Sequence, residues 1–129
     1  MTVDVYWRDG GVYCVHTECA SFVSVSLTFE RVSKLLSERN VKFLIHDLSR
    51  CETIDLGVAA LVCFSATVDA TPDLANISRV AVITTDASFA LLVTDLQHLV
   101  KQEIACFDRL EDALLWLNQS PSVLGQFSK

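Results

Sequence analysis

The sequence predicts an α/β domain: a mixed sheet of four or five strands, opened by an antiparallel hairpin, with parallel inner strands and about four helices packed on it. Three observations predict it. Apolar runs of strand character, Phe43-Leu44-Ile45 and Val80-Ala81-Val82-Ile83, alternate along the chain with segments of helical periodicity. Asp9-Gly10-Gly11 stands between two short strand-like segments and supplies the residues tolerant of positive φ that a tight hairpin needs. Finally, 51% apolar against 20% charged residues in a chain of 129 provides material for one buried core.

Taken in order, residues 2–7 and 12–17 read as the hairpin strands. Residues 21–27 are ambiguous, since their β-branched content suits a strand and their serines suit the approach to a helix. Phe29, Val32, Leu35 and Leu36 recur at helical spacing, which predicts an amphipathic helix over 28–39. Residues 41–48 form a strand covered on both faces. Asp55 is placed to cap a helix over 56–68, and Pro72 marks the loop after it. A second buried strand spans 79–84. Asp86 or Ser88 caps the next helix, whose apolar positions include Phe89, Leu92, Val93 and Leu96. A short strand over 104–107 follows. Asp108 and Glu111 have capping-box spacing and open a closing helix that carries Leu110, Ala113, Leu114 and Leu117 on one face. Residues 1–118 are expected to form a single domain, and 119–129, with Ser120-Pro121-Ser122, a flexible tail.

Charge and composition exclude several classes of function. A net charge of −6 repels phosphate backbones and anionic headgroups, so neither nucleic-acid binding nor an electrostatic membrane anchor is expected. The longest nearly uninterrupted apolar run, 56–64, is far below the ~18 residues of a membrane span. Five cysteines, an odd count, with no basic segment leading an apolar stretch at the N-terminus, fit free thiols in a reducing compartment. The expected location is therefore cytoplasmic.

Candidate chemistry is sparse. Cys14, His16 and Cys19 form C-x-H-x-x-C, but a structural zinc site needs four ligands and no second cluster supplies the rest, so no metal is expected. Asp47, Thr84 and Lys101 invite comparison with a phospho-receiver site, yet the acidic pair that would hold magnesium is missing. Nucleophile elbows, phosphate loops and dinucleotide-binding glycine motifs are absent, and Cys51 is not followed by the arginine of a cysteine phosphatase. His46 in a strand and His98 at a helix end read as hydrogen-bonded structural histidines. Neither a catalytic site nor a cofactor is expected.

The run Phe43-Leu44-Ile45-His46-Asp47-Leu48-Ser49, with Ile54-Asp55-Leu56-Gly57-Val58-Ala59-Ala60-Leu61 after it, resembles the central signature of STAS domains. In that family a strand ending Asp-Leu-Ser leads by a short loop to Ile-Asp-Ser-Ser-Gly and a helix of small residues. The strand over 79–83 and the segment 104–117, ending Ala113-Leu114-Leu115-Trp116-Leu117, look like the SpoIIAA-like branch of uncharacterised bacterial proteins. The resemblance implies a non-catalytic regulatory domain that docks a partner protein through the start of this helix. It also marks a departure. The serine that accepts phosphate in switched members is replaced by Leu56, and neither Thr53 nor Ser49 stands at the motif position.

The helix after Asp55 has almost no polar face, so one side must pack on the sheet and the other meet something else. A protein partner, a second copy in a homodimer, a small hydrophobic ligand or a neighbouring helix each remains open. The expected binding residues are Ser49, Thr53, Asp55, Leu56, Gly57, Val58, Leu61 and Val62, in a loop over 49–55 and the first turns of the helix. The alternative, which the resemblance of some relatives to lipid-binding CRAL-TRIO domains suggests, is a carrier or sensor of a lipid-like ligand held by the same apolar helix.

Overall fold

The computed structural model describes residues 2–8 and 10–117. The hairpin consists of β1 (Thr2–Arg8) and β2 (Gly10–Ser21), paired antiparallel with Arg8 opposite Gly11. Gly10 takes φ +90, the left-handed conformation its place at the turn demands. Then come α1 (Phe22–Leu36), β3 (Val41–Asp55), α2 (Val58–Ala70), the one-turn α3 (Pro72–Ala75), β4 (Arg79–Ile83), α4 (Ala87–Leu96), a 3-10 turn (Gln97–Leu99), β5 (Glu103–Phe107) and α5 (Leu110–Trp116). The five strands lie in chain order, and every pair after the hairpin is parallel. This is the predicted mixed sheet.

Side-chain alternation divides the core in two. Phe43, Ile45, Ala81 and Ile83 face α5 and meet Ala113, Leu114 and Leu117. On the opposite face Val12, Cys14 and Leu44 pack with Val32 of α1 and Leu74 of α3. Further along that face Leu48 and Val82 pack with Leu61 and Phe64 of α2 and with Phe89 and Val93 of α4. Thus α1, α2 and α4 share one face and α5 covers the other. Gly11 is fixed by packing: a Cβ there would stand 2.0 Å from Cζ of the buried Phe43 ring.

Four local expectations need correction. The ambiguous residues 22–27 belong to α1, because Ser21 caps it: Ser21 Oγ accepts from Ser24 N at 3.3 Å and Ser24 Oγ accepts from Ser21 N at 2.8 Å. This reciprocal cap outweighs the poor helix propensity of Val23, Val25 and Thr28. Residues 49–55 are not a loop, since β3 continues to Asp55 and pairs with β2 as far as Ser21–Asp55. Asp55 accordingly ends a strand, and α2 begins three residues later, at Val58, capped only by the backbone of Gly57. Finally, α5 starts from Arg109 without a side-chain cap, so the Asp108 capping box does not form. Asp86 does cap α4, accepting from Phe89 N at 3.0 Å. The expected flexible tail lies outside the described residues.

Candidate functional site

The extra length of β2 and β3 shapes the region around α2. Opposite the five residues Val15 to Cys19, β3 runs from Asp47 to Thr53, with register shifts between Val15 and Thr17 and again between Glu18 and Cys19. Such bulges bend a strand and re-aim its side chains. Glu18, at φ 64, is the non-glycine residue that takes up the left-handed turn at this bend. The bend is anchored by Asp47. This buried carboxylate accepts from Tyr13 Oη at 2.6 Å on one oxygen, and from Ser49 N at 3.0 Å and Ser49 Oγ at 2.6 Å on the other. Burial, and next the carboxylate beside it, push the Tyr13 phenol above its ordinary range. With its acceptor positions engaged, Asp47 ties β2 to β3. Thr84 Oγ1 accepts from Asp86 N at 3.1 Å, which gives the second residue of the receiver comparison a structural task too.

The expected binding residues separate into two groups. Ser49, Thr53, Asp55, Gly57, Val58 and Val62 are exposed, whereas Leu56 and Leu61 are buried and turn inward. Across the outer face of α2, Val58 is 61% exposed and Val62 45% exposed, with Ala59, Cys63 and Ala66 exposed around them. Phe22, from the start of α1, is 48% exposed and stacks on Phe64 of α2 with ring centroids 5.2 Å apart. The outer side of α2 is therefore apolar and open to water, where an amphipathic surface helix would present charge.

Beneath α2, its inward side chains border a cavity of about 110 Å³ between the sheet and helices α1, α2 and α4. Its wall is mainly aliphatic and aromatic, with Phe29, Leu56, Leu61, Phe64 and Phe89 prominent. Four polar side chains reach it: His16, His46, Ser65 and Gln102. Ser65 Oγ donates to Val62 O at 2.7 Å and Gln102 Nε2 donates to Leu74 O at 2.8 Å, so both are satisfied. His16 and His46 meet each other, with His16 Nε2 and His46 Nδ1 3.2 Å apart. Burial holds both imidazoles well below the ordinary value, His16 at about 4 and His46 at about 3; for His46 the neighbouring imidazole adds to the effect. Both are neutral at physiological pH, and one proton lies between them. Among the described residues, His16 Nδ1 is the buried side-chain polar atom without a hydrogen-bond partner.

This pair was not legible as a site in the sequence. His16 is drawn there toward Cys14 and Cys19, and His46 stands alone. Among the described residues, no three histidine, cysteine or acidic side chains group closely enough to hold a metal ion. Cys14 is wholly buried, and burial pushes its thiol far up; burial also raises Cys51 and Cys106 to about 11 each, so all three stay protonated. No described helix is long and apolar enough to cross a membrane.

No protein-family model matches the chain, and no curated protein matches it. Solved structures do. An uncharacterised DUF3478-family protein with a SpoIIAA-like fold, from Shewanella loihica, superposes with a TM-score of 0.63 at 12% identity, over 89% of this chain and 93% of that one. The chain has a SpoIIAA-like fold. An anti-sigma factor antagonist from Mycobacterium paratuberculosis superposes with a TM-score of 0.58 at 18% identity, over 92% of this chain and 94% of that one. The SpoIIAA-like architecture expected from the motifs is thus present over about nine-tenths of the chain, at identities that speak for the fold alone.

Proposed function

We propose that this protein is a non-catalytic regulatory module that docks a partner protein through the outer face of α2. The observation that carries the reading is the exposed apolar stripe of Val58, Ala59, Val62, Cys63 and Ala66. Leaving such a stripe in water is unfavourable by roughly 25 cal/mol per Å², so a covering surface gains what the free domain loses. Exposed Thr53, Asp55 and Gly57 at the end of β3 give this stripe a polar rim, as protein interfaces have. That one structural neighbour is an anti-sigma factor antagonist, a protein that acts on another protein, supports the reading. The partner is either a different protein or a second copy in a homodimer, and sedimentation velocity distinguishes them. Self-association that Val58→Glu with Val62→Glu abolishes identifies the second copy. A monomer at all concentrations directs the search to a heterologous partner. Unchanged self-association in the double variant overturns docking through α2.

The cavity favours a second reading, in which the domain carries or senses a small hydrophobic molecule. Its wall is apolar and its volume is comparable to the ~150 Å³ of an engineered apolar cavity that takes up benzene. A molecule the size of one ring fits, and a full acyl chain does not. Native mass spectrometry of the purified protein tests this: a bound small molecule supports it, and titration with toluene to saturation without any response contradicts it.

A further inference from the structure

Resting on docking through α2, we infer that the partner's contact element is a basic amphipathic helix, received across the outer faces of α2 and α4 together. Charge is unevenly distributed along the chain. Residues 51–100 carry six carboxylates, Glu52, Asp55, Asp69, Asp73, Asp86 and Asp95, against one cation, Arg79. That stretch therefore holds five of the six net negative charges, and all six carboxylate residues are exposed. No lysine or arginine belongs to α2, α3 or α4. Arg79 does not offset the charge on their side of the sheet. Its guanidinium donates to Trp116 O at 2.7 Å and so turns toward α5, on the opposite face.

Between these carboxylates the surface is apolar. Phe89 and Val93 of α4 share one cluster with Leu61 and Phe64 of α2, so the two helices lie side by side on the sheet. With Phe89 and Val93 turned inward, Leu91 falls on the far side of α4, and it is 69% exposed. It joins the outward row of Val58 and Val62. Asp55 precedes α2 and Asp69 lies in its last turn; Asp86 precedes α4 and Asp95 lies in its last turn. The 13 residues of α2 make a strip about 20 Å long, with carboxylates at both ends. Charge and shape together select the occupant. A second copy would set two such acidic faces against each other, and like charges across an interface are penalised. Anionic lipid surfaces and nucleic acids are repelled for the same reason. A helix with a matching apolar side lies along paired helices through anchors at i, i+3, i+4 and i+7, and lysines or arginines beside those anchors meet the carboxylates.

Two synthetic helical peptides of about 14 residues, the length of the strip, are the probes. They share one leucine stripe and differ in a lysine or a glutamate polar face. Affinities are measured by fluorescence anisotropy on the full chain. The lysine peptide is expected to bind at least about tenfold more tightly than the glutamate peptide at low salt, a preference that shrinks as salt is raised; this comparison needs no variant. Asp55→Asn with Asp69→Asn and Asp95→Asn should weaken the lysine peptide about tenfold, whereas the same charge removed on the other side, by Glu103→Gln with Glu111→Gln and Asp112→Asn, should change it less than about twofold. Equal affinity for the two peptides, lost for both in Val58→Ser with Val62→Ser, overturns the basic partner and leaves docking through α2 standing. Equal weakening by the two sets of charge removals also overturns it, because the attraction is then to the chain's net charge. Binding of neither peptide overturns it as well. Lysine-peptide binding that the two serine substitutions leave unchanged overturns docking through α2 itself.

Discussion

Acidification to pH 5 should weaken this fold far more than its carboxylates alone would allow, through the His16–His46 pair. Unfolded imidazoles take up protons near 6.5, whereas the folded ones do so only near 4 for His16 and 3 for His46. Between those values the unfolded chain binds more protons, so stability is full above 6.5 and falls as the pH falls. Each group contributes about 1.36 kcal/mol per pH unit over that interval. From 6.5 to 5.0 this is about 2 kcal/mol per histidine and about 4 kcal/mol for the pair. Against a total stability of about 5–15 kcal/mol, such a loss is large. Urea unfolding at pH 7.5 and 5.0 measures it: at a slope of about 2 kcal/mol per M, the midpoint should drop by about 2 M. His46→Phe removes one titrating group and should roughly halve that drop. Equal midpoints at the two pH values, or an undiminished drop in a variant lacking both histidines, would show that the pair does not govern acid stability.

Three further outcomes are expected. Asp47→Ala strips the acceptor from Tyr13 and Ser49 and unties β2 from β3, at a cost of about 2–4 kcal/mol in chemical unfolding; a loss below about 0.5 kcal/mol would show that the carboxylate is not an anchor. Gly11→Ala drives a methyl into the Phe43 ring and should destabilise by about 1–3 kcal/mol, with Phe43→Leu recovering part of the loss in the double variant. Val58→Glu and Val62→Glu replace exposed side chains and should each leave the unfolding free energy within about 0.5 kcal/mol of the original, whereas global unfolding would mean that these positions are core.

Most of the architecture was legible because its elements are strongly periodic. The apolar runs at Phe43 to Ile45 and Val80 to Ile83 are buried by helices on both faces, and such strands announce themselves by composition. What escaped the sequence depends on pairing between distant segments. Ser49 to Thr53 carry no apolar alternation, and they are a strand because bulged β3 continues along β2 as far as Ser21. That pairing also moved the start of α2 past Asp55, whose side chain suits a cap but whose backbone belongs to the sheet. The apolar character of α2 was readable and its division was not. Within α2, Leu61 faces inward and Val58 and Val62 face outward according to the side of the helix they occupy, and Leu56, just before the helix, is buried; packing on the sheet decides it. The histidine pair is the clearest case: its members lie 30 residues apart and meet through strand register. A histidine inside an apolar strand was the one visible signal.

If α2 is the docking face, its outer side is covered by another protein when the domain acts. Photocrosslinking in the cells that make the protein tests it directly, with the crosslinker placed at exposed position 63 on α2 and, as a control, at exposed position 112 on α5, across the sheet. A discrete protein adduct is expected from position 63, lost on adding Val58→Glu and Val62→Glu, and none from position 112. No adduct from position 63, or equal adducts from both positions that survive the two substitutions, would contradict it.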